Sequence, residues 1–276
     1  MRGLAEFVMK GRKQAIMAVM LLGIIPLANF LSPVVVGLIL LRKGLREAAI
    51  VMAWAILPIG AWAIVGDMPP LITLLGVSGL ALLLRETESW ELTLLAAIIV
   101  GVCVEAYLRL QPAILNRIFE EVELYLATNS LPELQIDNLR ELVTSFFGAV
   151  YMCLSVVLLM LSRWMQATLF NPGGFQREFH ALRVEQKVAL LLLSLMLLAN
   201  FGIVLPETWV MYFVLPLVFS GVALVHGMVA KLQMSGMWLT TFYFLMIFSV
   251  VIQLLVLMAL VDSWYNFRQR AKSPTS

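Results

Sequence analysis

Apolar residues come in long runs separated by short polar breaks, and eight runs can be marked, at 14–41, 48–65, 70–84, 90–108, 144–162, 188–204, 210–230 and 237–261. At 1.5 Å per residue, ~20 apolar residues cross the ~30 Å hydrocarbon core of a bilayer, so each run predicts a transmembrane helix. Between the fourth and fifth runs lies the one long polar insert, 109–143. Within it, Ala113 to Ala127 sets Ile114, Ile118, Val122 and Leu126 opposite Arg117, Glu120, Glu121 and Glu123, the pattern of an amphipathic helix lying on the membrane surface. A second loop, Arg163 to Lys187, holds the helix-stopping turn Asn171-Pro172-Gly173-Gly174. The pattern predicts an all-α fold, a polytopic transmembrane helix bundle of eight or nine spans with one amphipathic extramembrane helix. No internal repeat is visible.

The first run is 28 residues long and is interrupted by Pro26 and Pro33, so it reads either as one kinked helix or as a hairpin of two short ones turning near Asn29 to Pro33. Charge separates the two. With a cytoplasmic N-terminus, the hairpin gives nine spans with 13 Lys and Arg inside and 6 outside, whereas a single first span gives eight with 10 inside and 9 outside. The positive-inside rule favours the hairpin, although that reading leaves Arg268, Arg270 and Lys272 outside. The run after Lys13 is too long for a signal-peptide core and lacks a small-residue cleavage site, so it is expected to be retained.

Composition sharpens the membrane reading: of 276 residues 62% are apolar and 13% charged, with a mean hydropathy of +0.95. Soluble domains run near 45–50% apolar and about 25% charged. Lys and Arg are scattered among short loops at a net charge of +2, which argues against nucleic acid as a partner and leaves the lipid bilayer as the certain one. Cys103 and Cys153 fall inside apolar runs without metal-ligand spacing and read as reduced packing residues. Trp90, Trp164, Trp209, Trp238 and Trp264 mark run ends, as an aromatic belt does.

Polar residues in hydrocarbon are costly, which makes each a site candidate. Glu105 and Arg109 stand four apart near the end of their run, on one helix face, either as an ion pair reaching the headgroups or as a ligand-binding pair. Asn29, Asn200 and Gln253 are candidates for binding a ligand or for bonding between helices. Asp67, in Gly66-Asp67-Met68-Pro69-Pro70, reads as a solvated loop charge.

The one lead toward an enzyme is Gly76-Val77-Ser78-Gly79 together with His226-Gly227, which resembles the serine–histidine dyad of rhomboid intramembrane proteases. Ser78 lies eight residues into its run and His226 sixteen into a run of the same direction, a depth mismatch of about 12 Å against a ~3 Å hydrogen bond. Gly76, Ser78 and Gly79, like Ala97 and Gly101, read instead as small residues for close helix packing. The sequence contains no Walker-type phosphate loop, no HExxH and no pair of intramembrane aspartates, and no metal or cofactor is expected.

Ser32 to Arg46, a proline-led short helix ending in basic residues and glycine, and Leu260 to Arg270, with its aspartate, aromatic, phenylalanine and basic residues, resemble the YybS-like bacterial membrane proteins of unknown function. The order of runs and the polar insert agree as well, while Asn266 departs from the acidic residue expected there. The part through residue 162 is also similar to the six-helix modules of energy-coupling-factor substrate-binding subunits and of the rod-shape scaffold MreD. The resemblance implies a module at 1–162, including the insert, followed by further spans and a short basic tail at 163–276, in a multi-pass protein of the bacterial inner membrane. It implies a non-enzymatic scaffold or assembly factor binding other membrane proteins, or alternatively a subunit that binds a small, vitamin-like molecule for uptake. An intramembrane serine protease is the remote alternative. By analogy of fold alone, neither activity follows.

Overall fold

The prolines that interrupt the first apolar run divide it in two. The computed structural model describes residues 1–111 and 136–271 and, between them, Ala113, Leu115, Asn116 and residues 119–121. In that first run, α2 (Arg12–Ile24) stops before Pro26, and α3 (Ser32–Lys43) restarts with Pro33 in its first turn, where a missing N–H costs nothing. A preceding short helix, α1 (Arg2–Met9), buries Ala5 and Val8. Ser32 Oγ donates to the Val19 carbonyl, while Lys43 leads through Gly44 into α4 (Leu45–Ile64), whose Glu47 accepts from Arg12 at 2.7 Å. α2 and α3 are therefore an antiparallel hairpin, with α4 running alongside α2. Gly23 lets α4 approach closely: a Cβ there would sit 2.6 Å from Pro58.

The following helices alternate in direction. α5 (Pro69–Thr87) returns, and its Arg85 reaches the Leu40 carbonyl near the end of α3. α6 (Trp90–Leu110) goes back, with Tyr107 donating to the Gly66 carbonyl in the α4–α5 turn. α7 (Ile136–Phe170) has 35 residues, about 52 Å at 1.5 Å each, and carries Glu141 near one end of the bundle and Arg163 near the other. Its helix runs well past the marked 144–162. After the predicted turn come the short surface helix α8 (Gly174–Ala181), then α9 (Gln186–Asn200), α10 (Val210–Lys231), α11 (Met237–Leu245), α12 (Ser249–Tyr265) and α13 (Phe267–Arg270). No strand occurs among the described residues. One continuous apolar core extends from Ala5 to Ala259, and α3 lies within it with every residue from Ser32 to Leu41 buried.

The chain is a multi-pass membrane protein. Among the described residues five helices, α4 to α7 and α10, are long and apolar enough to cross alone, or six if the α11–α12 pair is one span. The expected eight or nine spans are not reached by this measure, for two physical reasons. α2, α3 and α9 have 13, 12 and 15 residues, only about 18–22 Å of helix. The run 237–261 is not straight either: the chain bends by 114° between α11 and α12. Lys231, before that bend, donates to the carbonyl of Arg268, after it, at 2.5 Å, so the pair leaves and returns to the same end of the bundle. Arg268, expected opposite Lys231, is therefore beside it, and Lys272 lies outside the described residues.

With the tail returned, the charges sort by end. The four Lys and Arg of 1–13, the three of 42–46, Arg85, the four of 163–187, Lys231, Arg268 and Arg270 gather at one end, hereafter the basic end. Of the described Lys and Arg, only Arg109 and Arg140 stand at the other.

Candidate functional site

Glu105 is a buried carboxylate, 2% exposed, one turn before the end of α6. A charge at that depth persists only when donors surround it. Arg109, one turn along the same face, places Nη2 2.7 Å from Oε1, and Trp209 donates its indole N–H to Oε1 at 3.1 Å. Tyr212 donates its hydroxyl to Oε2 at 2.6 Å. Arg109 also reaches Glu141 of α7 at 3.4 Å, and the Ser145 and Thr208 hydroxyls are 2.7 Å apart. One carboxylate thus joins α6 to α10, with α7 tied on through Arg109 and through the Tyr212 hydroxyl, which is 3.2 Å from the Ser145 carbonyl.

Two glycines make room for this arrangement. A Cβ on Gly148 would lie 2.0 Å from the Tyr212 hydroxyl, and one on Gly101 would lie 2.6 Å from the Tyr212 ring. α6 and α7 cross where neither has a side chain, and the tyrosine fills the gap. Beside the cluster, Glu141 and Leu142 of α7 and the turn Gly202 to Thr208 border an open groove of about 790 Å³. At the same end, Asp67 in the α4–α5 turn is exposed, as expected of a loop charge, while the neighbouring protein pushes its carboxyl above its ordinary range.

Of the candidate site residues, Glu105 and Arg109 are brought together as the spacing predicts. Asn29 is buried in the α2–α3 turn with its Oδ1 lacking a hydrogen-bond partner, and it is not among the residues bonded to Glu105. Asn200 and Gln253 are exposed on α9 and α12 and join neither. Ser78 donates to the Leu74 carbonyl and His226 pairs with the Tyr243 hydroxyl, each at 2.7 Å, so each is committed to a different neighbour. Gly76 packs against Val100 of α6, as expected of a small residue. Both cysteines are free thiols, Cys103 on the outer surface and Cys153 half-buried. Among the described residues no group of three His, Cys, Asp or Glu could hold a metal ion.

In the polar insert, Ile114, Arg117, Ile118, Val122, Glu123 and Leu126 lie outside the described residues. Leu115 and Phe119 are buried against Val104 and Leu108, while Glu120 and Glu121 are exposed. Sequence reasoning missed Tyr212 altogether and gave Trp209 only a belt role. A tyrosine three residues after a tryptophan at the start of a run was the available signal, since both polar tips need partners when buried.

The basic end has a different construction. A cavity of about 470 Å³ there is lined by Arg85, Glu88, Trp90, Arg163, Gln166 and Glu178. Arg163 forms a bidentate pair with Glu178 of α8, and Arg85 and Gln166 donate to carbonyls at the C-terminus of α3. Asp262, fully buried, accepts from the Phe267 N–H at 2.8 Å and faces Arg268 and Arg183 at 3.8 and 4.0 Å. Asn266, in the left-handed region at φ 49°, turns the chain into α13 and caps it by accepting from the Gln269 N–H. No family model, no curated protein and no solved structure matches the chain.

Proposed function

We propose that this is a non-enzymatic scaffold or assembly factor of a bacterial inner membrane, docking partner proteins on its basic end. The supporting observation is the ordered polar platform there: α8, the 182–185 linker and α13 are tied down by Arg163–Glu178, by Arg183 to the Ser263 carbonyl and by Arg268 to the Ala181 carbonyl. Lys10, Lys43, Glu88, Arg177 and Lys187 remain exposed on it. A photocrosslinker at Arg177 is expected to give reproducible protein adducts in native membranes, and one at Leu142 at the opposite end to give none. Adducts from neither position overturn the proposal.

The proposed topology has eight passes, with α2, α3 and α9 as short legs and α11–α12 entering and leaving at the cytoplasmic basic end. The charge asymmetry supports it, because Lys and Arg collect on cytoplasmic faces. Reporter fusions at Gly44 and after Lys272 are expected to read cytoplasm together. An exterior signal from the tail would restore nine crossings.

A second reading is uptake of a small molecule through the groove beside Glu105, favoured by its size and its place at the proposed outer face. Thermal stabilisation of the purified protein by one member of a vitamin and metabolite panel, lost in Leu142→Trp, is the result that this reading requires.

A further inference from the structure

α11 is a helix without a buried residue, held against α10 by a hydrogen bond between His226 and Tyr243 and by the walls of an apolar groove. Leu224 and Met228 of α10, Trp238, Phe242 and Leu245 of α11, and Met258 of α12 line this groove, which has a volume of about 360 Å³. A helix ~10 Å across fills roughly 120 Å³ per residue at 1.5 Å rise, so the groove would take only about three residues of one. A single linear hydrocarbon chain fits where a helix does not. The two methionines, flexible and polarisable, make walls that adapt to such a chain.

The mouth of the groove has the complementary chemistry. Lys231 ends α10 between the groove residues and the α10–α11 loop, and its bond to the Arg268 carbonyl brings α13, with its exposed Arg270, alongside, while the Arg268 guanidinium is committed to the Ala181 and Ser220 carbonyls. Cations at the membrane face above an apolar cleft between helices suit an anionic headgroup with its chain below. We infer that the cleft between α10 and α11–α12 binds one anionic phospholipid, with an acyl chain along Met228 and Phe242 and the phosphate at Lys231. The inference does not rest on the partner-docking proposal, although α13 borders both surfaces.

The test is native mass spectrometry of the full chain exchanged into phosphatidylglycerol or phosphatidylcholine of identical acyl chains. Wild type is expected to retain one phosphatidylglycerol per chain, at least tenfold in preference to phosphatidylcholine. Lys231→Gln is expected to remove the preference, and Met228→Trp or Leu245→Trp to remove retention while the thermal midpoint shows a folded protein. Inorganic phosphate is expected to leave the midpoint of wild type unmoved, and a phosphate-induced rise equal to that from the lipid would point to an anion site without a chain. Equal retention of the two lipids by wild type, or retention surviving both tryptophan variants, overturns the inference. So does a wild-type dimer that Met228→Trp dissociates, since a second copy would then fill the cleft.

Discussion

The two ends of the bundle spend their polar groups in opposite ways. Around Glu105 one buried acceptor gathers donors from two helices more than a hundred residues apart in the chain. At the basic end many cations each serve a neighbouring backbone: Arg85 caps the last carbonyls of α3, Arg183 reaches Ser263 near the end of α12, and Arg268 reaches Ala181 at the end of α8. Helix C-termini present unsatisfied carbonyls and a partial negative charge, which basic side chains meet. The lesson is that concentration makes the first end brittle, whereas distribution makes the second tolerant.

The largest test of that contrast is Glu105→Leu. It strands the half-buried Trp209 donor, leaves the Tyr212 hydroxyl only the longer bond to the Ser145 carbonyl and takes the carboxylate from Arg109, and a loss of about 2–4 kcal/mol is expected in the thermal unfolding of detergent-solubilised protein. A loss below about 1 kcal/mol would show that the cluster is not a node. Next is Gly148→Ala, which drives a methyl into the Tyr212 hydroxyl and the Gly101 carbonyl. Overpacking of this kind costs about 1–3 kcal/mol, and chemical denaturation read by tryptophan fluorescence measures it. At the basic end, Arg85→Gln is expected to cost only about 1 kcal/mol, because Gln166 still donates to the Leu41 carbonyl. A loss equal to that of Glu105→Leu would erase the distinction.

The smallest effect concerns pH. Burial, and then the charge of Arg268, hold His180 below its ordinary value of 6.5. Below that pH the unfolded chain takes up a proton that the folded chain refuses, so stability declines as pH falls through and below about 6.5 and is unaffected above it. His180→Gln is expected to flatten that part of a melting-midpoint profile between pH 5 and 7, and an unchanged slope would assign the dependence elsewhere.

Hydropathy made the membrane-spanning character legible because it is written into most of the residues, and the pair Glu105–Arg109 was legible because its spacing is local. The hairpin at Pro26 and Pro33 could be read because proline leaves a signature in the chain. The bend between α11 and α12 could not, since it falls at Met246-Ile247-Phe248, as apolar as the helices on either side. The span count suffered similarly: an apolar run records that a segment avoids water and is silent on whether lipid or protein surrounds it. Tyr212 and Gly148 stayed hidden because their meaning lies in a crossing of helices that no sequence spacing encodes.

The enclosure of α3 sets an order of events in biogenesis. Its walls come from later parts of the chain: Ser162 donates to the Val34 carbonyl and Gln166 to that of Leu41. A nascent chain cut anywhere before Ser162 leaves this segment exposed to lipid or to the insertion machinery, so the first part of the molecule to emerge is among the last to reach its final surroundings.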